Sequence, residues 1–255
     1  RGRHGVILEK GALIAIDSGT WAAMASALST MAANSRHEGR RGHPIENTNV
    51  ASSAVLQATD LSFRYPEHEL FAGWSARIPP GVTLVRGGES SGKTTLLRLL
   101  AGELPVQAGD LQIGEWHLGQ HAAAYRQQVF RVDPRSTDFD PITPLEYFKT
   151  LHRQYPRFDD RAVGGLLDGL SLGPFKDKPL YMLSTGSKRK VWLAAAFASG
   201  AAVTLLDEPF AALDKTSIGF VTKLLQDAAT HPARAWVMAD YEAPVGVPLA
   251  AVIDL

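Results

Sequence analysis

One stretch of eight residues has the composition and spacing of a loop that wraps a phosphate group. The stretch fits the pattern G-x-x-x-x-G-K-[ST], known as Walker A, and reads Gly87-Gly88-Glu89-Ser90-Ser91-Gly92-Lys93-Thr94. The glycines let backbone N–H groups turn inward, Lys93 reaches the β and γ phosphates, and the Thr94 hydroxyl ligates Mg²⁺. A helix that begins near Gly92 adds about half a positive charge at its N-terminus. The stretch, together with Thr95, therefore predicts a nucleotide-binding site.

Two adjacent acids follow an apolar run further along the chain. The run Val203–Asp207 has the pattern of a buried strand, and Glu208 comes directly after it. Carboxylates at the carboxyl end of such a strand face the ligand site of an open α/β sheet. We expect Asp207 to hold Mg²⁺ through water and Glu208 to be the general base that polarises the attacking water. Two acids at a strand end are more often plain surface residues, but the phosphate loop in the same chain favours the catalytic interpretation.

The pattern of apolar runs predicts the elements that position these groups. Short apolar runs bounded by Gly, Pro or charged residues indicate strands, and leucines at helical spacing after the loop indicate a helix that stops at Gly102. Helical spacing around 145–152, 162–170 and from about Ser187 predicts a helical sub-lobe at 134–199, between core segments 53–133 and 200–255. Strands that alternate with helices imply a mainly parallel sheet.

The first 52 residues have a different character from the rest of the chain. Residues 36–49 are polar and charged and show no hydrophobic periodicity. We expect residues 1–52 to be a poorly ordered extension, or an artefact if translation starts at Met24 or Met31. Residues 53–255 are expected to carry the fold.

The composition excludes several classes of protein. Lys+Arg and Asp+Glu are equal at 26 each, so no net field favours nucleic acid or an anionic membrane surface. The chain has no cysteine, which excludes disulfides, thiolate metal sites and a cysteine nucleophile, and which is compatible with a reducing compartment. It has no apolar run of about 18 residues or more, so a path across a membrane would have to be formed by other chains.

A third motif identifies a family. Leu183-Ser184-Thr185-Gly186, followed by a basic stretch, resembles the LSGGQ-type signature of ATP-binding cassette (ABC) ATPases, and its distance from Asp207 is typical of that family. A Ser and a Gly that open a basic helix form an anion-binding N-terminus, although alone they would indicate an ordinary capped helix. In the resemblance, Ser184 and Gly186 of one subunit cap the γ phosphate of ATP held by the phosphate loop of another.

The resemblance covers about residues 55–255 and implies a fold and partners. It implies an α/β P-loop NTPase (RecA-like) with a mainly parallel sheet core, an N-terminal antiparallel β portion and an inserted helical sub-lobe. The implied partners are a second copy or a homologous ATPase subunit and a transmembrane permease, with no nucleic acid. The chain would then be cytoplasmic and peripheral on the inner face of the cell membrane. Tyr65 would stack on adenine, with Phe63 as the competing candidate, and Asp214 would lie at the dimer interface.

Two positions depart from the family pattern. Asp133 stands where the family has a Gln that touches Mg²⁺, and an acid can still ligate the ion. Asp240 stands where the family has its switch His. An ionised Asp cannot donate a hydrogen bond to the γ phosphate and repels it by up to about 4 kcal/mol. His231 lies too early in the sequence to replace the His, so we expect slow turnover.

Three functions remain open from the sequence. The first is an ATPase that hydrolyses ATP at a head-to-tail dimer interface and drives a membrane partner. The second is an ATP-gated dimerising module with little or no hydrolysis, such as the degenerate half of a heterodimer. The third, a small-molecule kinase, is disfavoured because neither LSTG nor LLDEP has a role in it. Nothing in the chain specifies a transported substrate or a direction of transport.

Overall fold

A computed structural model describes residues 5–9, 12–16 and 54–255, and the chain divides into two units, Arg1–Asn49 and Val50–Leu255. In the first unit, β1 (Gly5–Glu9) and β2 (Ala12–Ile16) pair antiparallel. Apart from this hairpin, the expected poorly ordered extension at 1–52 lies outside the described residues.

The second unit contains nine further strands and six α-helices among the described residues. The strands are β3 (Leu56–Tyr65), β4 (His68–Ile78), β5 (Gly81–Arg86), β6 (Ala108–Ile113), β7 (Trp116–His117), β8 (Val129–Arg131), β9 (Val203–Asp207), β10 (Ala235–Asp240) and β11 (Ala251–Asp254). The helices are α1 (Lys93–Leu100), α2 (Ala122–Gln127), α3 (Pro144–Gln154), α4 (Asp160–Gly169), α5 (Thr185–Ala198) and α6 (Lys215–Ala229). Short 3₁₀ turns cover Gly173–Phe175 and Leu180–Met182.

Five strands form a wholly parallel sheet in the order β11-β5-β10-β9-β8. The two strands at its centre, β10 and β9, are buried along almost their whole length, as are all but the last residue of β5. Continuous apolar runs of this kind are expected where helices cover both faces of a sheet. The predicted α/β core with a mainly parallel sheet is therefore confirmed.

A four-stranded antiparallel sheet, in the order β4-β3-β6-β7, forms the other β portion. The sequence predicts most of β3 and the last five residues of β4, but it does not indicate that β6 and β7 return to this sheet after α1. Gly109 permits the return, because a Cβ at this position would lie 2.5 Å from the carbonyl oxygens of Thr59 and Asp60. Its φ of 93° is also a conformation that favours glycine.

Helices α3, α4 and α5 form the predicted helical region between β8 and β9. Thr143 and Glu146 make a capping box at the start of α3, and Asp159 caps α4. Tyr147 and Trp192 pack edge to face with ring centroids 4.9 Å apart. The same buried cluster includes side chains of the parallel sheet, so this region shares its core with the sheet. No helix in the described part of the chain is both long and apolar enough to cross a membrane.

Candidate functional site

The carboxyl ends of the parallel strands meet at one side of the five-stranded sheet, which we call the carboxyl edge. The strand register pairs Asp240 with Arg86 and Ala239 with Asp207. The loop that follows β5 and the acids that end β9 and β10 therefore lie side by side. Asp133, which follows β8, lies at the same edge because β8 runs parallel to β9. The sheet thus assembles four chain segments that are far apart in sequence.

The phosphate loop, residues 87–94, turns from β5 into the N-terminus of α1. Gly92 is the N-cap residue, with a φ of 98°, and no side chain of the described residues caps the helix there. Ser90 has a φ of 59°, which is uncommon for a residue with a side chain. A Cβ at Gly87 would lie 2.3 Å from Ser91 Oγ and 3.0 Å from the Leu255 carbonyl oxygen, so only glycine fits this turn. The result is a helix N-terminus with free N–H groups, which attracts anions.

Lys93 is the cation of this loop. Its Nζ donates to the carbonyl oxygens of Gly87 at 2.8 Å and Gly88 at 2.7 Å. It also lies 4.2 Å from the centroid of the Tyr241 ring. The side chain is only 7% exposed, so the ammonium is held inside the loop. Since an ammonium has three hydrogens and the carbonyls take two, one donor remains for a phosphate oxygen.

A cavity of about 420 Å³, which we call the nucleotide cavity, opens beside the loop. Its lining includes the loop residues Glu89, Ser90, Ser91, Gly92, Lys93, Thr94 and Thr95, together with Tyr65, His68, Leu70, Arg135, Glu208 and Tyr241. Tyr65 is 40% exposed and its hydroxyl lies 3.2 Å from Thr95 Oγ1. Phe63 is 7% exposed and packs edge to face against Tyr65, so it has no free face for a base. Of the two predicted aromatics, Tyr65 is the one placed at the cavity.

A second cavity of about 220 Å³, which we call the acid cavity, adjoins the first. Its lining is Thr94, Arg98, Asp133, Pro134, Arg135, Arg189, Asp207 and Glu208. The three predicted metal ligands, Thr94, Asp207 and Asp133, are therefore brought together. No group of three or more His, Asp or Glu side chains in the described residues could hold a metal ion alone. Mg²⁺ usually binds one or two protein carboxylates together with water and substrate phosphates.

Glu208 has an unusual backbone conformation. Its φ is 46°, in the left-handed region that residues with a side chain rarely adopt. Its N–H donates to the Ala239 carbonyl at 2.9 Å, and its own carbonyl accepts from the N–H of Ala211 at 3.1 Å. The chain reverses direction here, and Glu208 lines both cavities. A strained residue with a carboxylate at a ligand cavity is a common feature of functional sites.

Asp240 ends β10 at the carboxyl edge, beside Asp207 on β9. Burial raises the pKa of the Asp240 carboxyl, and the charges of Asp207 and Glu242 add to the rise. The N–H of Tyr241, which donates to Asp240 Oδ1 at 2.8 Å, and the ammonium of Lys93 act against it. Asp240 is not among the residues that line either cavity, so its predicted position beside the γ phosphate stays a prediction.

His231 lies at the opposite side of the sheet, which we call the amino edge. It precedes β10, and its Nδ1 accepts from the N–H groups of Ala233 at 3.1 Å and Arg234 at 3.0 Å. Because β10 separates it from Asp240, this imidazole cannot reach the nucleotide cavity. His231 therefore lies away from Asp240, the position where the resemblance expects the family's His.

Ser184 is the N-cap residue of α5 and is exposed. Its Oγ accepts from the N–H of Ser187 at 3.2 Å. A Cβ at Gly186 would lie 2.6 Å from the Ala212 carbonyl, so the start of α5 packs closely on the segment after β9. In the described part of the chain, neither Ser184 nor Gly186 lines the two cavities. The start of this helix therefore does not meet the phosphate loop of its own chain.

Asp214 caps the neighbouring helix α6 and is tied to α5. Its Oδ1 accepts from the N–H of Ser217 at 2.9 Å, and its Oδ2 pairs with Lys190 Nζ at 2.5 Å. The hydrogen bond from Lys190, followed by those from Ser217, holds the pKa of the Asp214 carboxyl well below its usual range. The segment 211–214, predicted as an interface loop, thus lies next to the start of α5.

Comparison with known proteins decides the family. Residues 72–211 match the family model described as ABC transporter. The chain belongs to the ABC transporter family. It is an ATP-binding subunit of an ABC transporter, as its relatives also indicate.

The relatives of this ABC protein include three proteins named cytochrome c biogenesis ATP-binding export protein CcmA. That of Pseudomonas savastanoi pv. phaseolicola is 36% identical over 170 residues, which are 66% of this chain and 80% of the relative. That of Pseudomonas syringae pv. syringae is 33% identical and covers 71% of this chain and 86% of the relative. That of Escherichia coli O6:H1 is 31% identical and covers 72% and 86%.

Solved structures support the same fold. A putative ABC transporter ATP-binding protein from Pyrococcus furiosus is 22% identical, with a TM-score of 0.64, and covers 78% of this chain and 96% of that chain. A structure described as the ATP-binding subunit of an ABC transporter is 20% identical, with a TM-score of 0.66, and covers 72% and 79%. At these identities the likeness shows the fold alone.

Three residues of the ABC site were not found from the sequence. Arg135 lines both cavities, Tyr241 packs on Lys93, and Arg189 lines the acid cavity from α5. Arg135 and Tyr241 lie in no motif, and Arg189 lies in the basic stretch after Gly186 with no role predicted for it, because each reaches the site through tertiary packing. The signal available was only that Arg135 follows a strand end, close to Asp133.

Proposed function

We propose that two copies of this chain, or this chain and a homologous subunit, bind ATP head to tail and hydrolyse it to drive a transmembrane permease. Each phosphate loop holds a triphosphate through backbone N–H groups, Lys93 and the N-terminus of α1. Ser184 and Gly186 of the other subunit close over the γ phosphate. Tyr65 stacks on the adenine, and Glu208 polarises the attacking water as general base.

The observation that carries this proposal is the position of two helix N-termini. That of α1 lies at the nucleotide cavity and has no side-chain cap among the described residues, whereas that of α5 is exposed and does not meet this cavity. A site that needs both must therefore take the second from another molecule. The close packing of Gly186 on Ala212 gives the exposed surface a fixed shape.

The acid cavity supplies the residues for Mg²⁺. Thr94, Asp207 and Asp133 line it, and carboxylate and hydroxyl oxygens are ligands that Mg²⁺ prefers. When bound, Mg²⁺ offsets the negative charge of the β and γ phosphates. The Asp133 carboxylate adds a negative charge where a neutral amide stands in the family pattern. Asp133 and Asp240 together slow hydrolysis in this proposal, because both acids follow or end strands at the carboxyl edge, where their negative charges oppose that of the γ phosphate.

A steady-state phosphate-release assay on the purified chain tests the proposal. Glu208→Gln keeps the size of the side chain but removes its basicity, so we expect the rate to fall by about 100-fold or more. Lys223→Gln, an exposed change on α6 next to Asp227, is the matched control and should leave the rate unchanged. A wild-type rate equal to that of Glu208→Gln would replace the ATPase with the ATP-gated dimerising module.

The names of the relatives suggest a process for this chain. We extend the proposal to export in cytochrome c biogenesis, with the chain held at the inner face of the membrane by its permease. Complementation tests it: the chain, expressed in place of the Escherichia coli relative, should restore formation of c-type cytochromes, whereas Lys93→Ala should not. If neither the wild-type chain nor Lys93→Ala restores c-type cytochromes, although the wild type hydrolyses ATP, the chain belongs to another transport process.

A further inference from the structure

Arg189 joins the helix that begins at Ser184 to the acid at the end of β9. It lies in the first half of α5, and its Nη1 donates to the carbonyl oxygen of Glu208. The same nitrogen lies 3.4 Å from the carbonyl oxygen of Asp207, at the limit of a hydrogen bond. The two carbonyls belong to the two peptide units that flank the Glu208 Cα. The guanidinium therefore grips the backbone of the proposed general base rather than its carboxylate.

The backbone segment that Arg189 holds includes the positive φ of Glu208. At 46°, Glu208 occupies a conformation that costs free energy for a residue with a side chain and persists only where its surroundings enforce it. The N–H of Glu208 is tied to Ala239 and its carbonyl to Ala211, which is part of the same reversal. Ala239 holds the N–H from β10, and Arg189 adds a side-chain donor from α5 to the carbonyl. A hydrogen bond from a charged donor is also about twice as strong as a neutral one.

The environment of Arg189 suits a fixed cation. Its Nε is buried and has no hydrogen-bond partner among the described residues, while Nη1 of the part-buried side chain donates to the two carbonyls. The side chain also lines the acid cavity with Asp133, Asp207 and Glu208. Its neighbours on the helix are used differently, since Lys188 pairs with Asp140 and Lys190 with Asp214. Arg189 is thus the basic residue of this helix that points at β9.

We propose that Arg189 is a positioning residue for hydrolysis, which fixes the Glu208 carboxylate through the carbonyls of Asp207 and Glu208. This rests on the proposed role of Glu208 as general base. In this proposal Arg189 acts through the backbone of Asp207 and Glu208 rather than on ATP. Its removal therefore lets the reversal at Glu208 relax and displaces the carboxylate from the attacking water, while the phosphate loop and nucleotide binding stay intact. A displacement of about 1 Å costs roughly 100-fold in rate.

The kinetic test compares two arginines that each donate to a backbone carbonyl. Arg189→Met keeps the apolar stem and removes the donors; we expect kcat to fall about 100-fold with KM for ATP unchanged. Arg189→Lys keeps one donor and should recover about a tenth to a half of the wild-type kcat. Arg234→Met is the matched control, because Arg234 Nε donates to the Ala201 carbonyl at 2.7 Å at the amino edge. It should lower thermal stability as much as Arg189→Met while leaving kcat unchanged.

A second measurement does not depend on turnover. Amide hydrogen exchange of the segment 207–212 should be about tenfold faster in Arg189→Met than in the wild type, because one constraint on the reversal is gone. In Arg234→Met this segment should exchange at the wild-type rate. If Arg189→Met does not fold, the same comparison applies to Arg189→Lys, with a smaller difference in the same direction.

The outcomes separate this inference from the proposed function. A wild type without turnover contradicts the ATPase, but the exchange measurement still decides the role of Arg189. Unchanged exchange in 207–212, or an equal loss of kcat in Arg234→Met, would reduce Arg189 to an ordinary structural side chain. A large rise in KM for ATP in Arg189→Met, with kcat unchanged, would overturn the inference by assigning the residue to nucleotide binding.

Discussion

The two edges of the parallel sheet differ in how their polar groups are hydrogen-bonded. At the amino edge, His231 accepts from two N–H groups and Arg234 Nε donates to the Ala201 carbonyl, although the buried Arg234 Nη2 has no partner among the described residues. At the carboxyl edge, α1 starts without a side-chain cap among the described residues, and Glu208 has a φ of 46°. The same sheet thus closes one edge with local hydrogen bonds and leaves the other able to bind an anion. The comparison teaches that the strained and uncapped groups, more than the acids as such, mark the functional edge.

The largest expected effect comes from removing the cation of the carboxyl edge. Lys93→Ala deletes the buried ammonium that the Gly87 and Gly88 carbonyls hold beside the nucleotide cavity. We expect the affinity for ATP, measured by calorimetry, to fall by about 100-fold or more, because the phosphates lose their buried charged partner. Lys223→Ala, on the surface of α6, is the control. Unchanged affinity in Lys93→Ala would mean that the two edges do not differ in anion binding.

A moderate effect is expected from reversing a departure from the family pattern. Asp240→His replaces a carboxylate beside the phosphate loop with a hydrogen-bond donor, so the phosphate-release rate should rise by about tenfold. The amino edge offers no comparable substitution, since the His231 imidazole there already accepts hydrogen bonds from its own turn. Should the rate not rise, either Asp240 does not face the γ phosphate or Arg135, which lines both cavities, already supplies the positive charge.

A smaller effect would test Arg135 directly. Its side chain is exposed and lines both cavities, and its N–H donates to Asp133 Oδ1 at 2.9 Å. Arg135→Gln should lower turnover by about three- to tenfold, because one cation near the developing phosphate charge is lost. Arg157→Gln, near the amino edge, is the control. Equal rates for the wild type and Arg135→Gln would remove Arg135 from the site.

The smallest effect belongs to the amino edge and depends on pH. Burial, and then the charge of Arg234, lowers the pKa of His231 below its ordinary value of about 6.5. The unfolded chain therefore binds the proton more readily, and the stabilisation present above about pH 6.5 is lost as the pH falls towards the folded pKa. His231→Asn keeps an acceptor for the N–H groups but cannot titrate. Its urea midpoint should fall less than that of the wild type between pH 7.5 and 5.5; parallel curves would contradict this.

The sequence predicts those parts of the site that lie within one continuous segment. The phosphate loop, the acids after β9 and the start of α5 are each specified by a few adjacent residues, because local backbone geometry demands them. The strand-end rule also predicts that Asp133 and Asp240 reach the same edge. Arg189 and Tyr241 escape this reasoning, since their roles come from packing between elements that are not neighbours in sequence. The return of β6 and β7 is missed for the same reason, because only the close approach at Gly109 reveals it.

The hydrogen bonds from Lys93 to the carbonyls of Gly87 and Gly88 have a further consequence. Without a nucleotide, the two carbonyls take the place of phosphate oxygens as acceptors for the ammonium. The loop therefore keeps its curved shape when the nucleotide is absent and does not have to form it again at each binding event. An incoming triphosphate takes the third ammonium hydrogen, and any further phosphate oxygen must replace a carbonyl, which lowers the net gain on binding. The same exchange favours release of the nucleotide product, because the Gly87 and Gly88 carbonyls can again accept hydrogen bonds from the Lys93 ammonium. This arrangement favours an ATP subunit that releases its nucleotide readily over one that stores it.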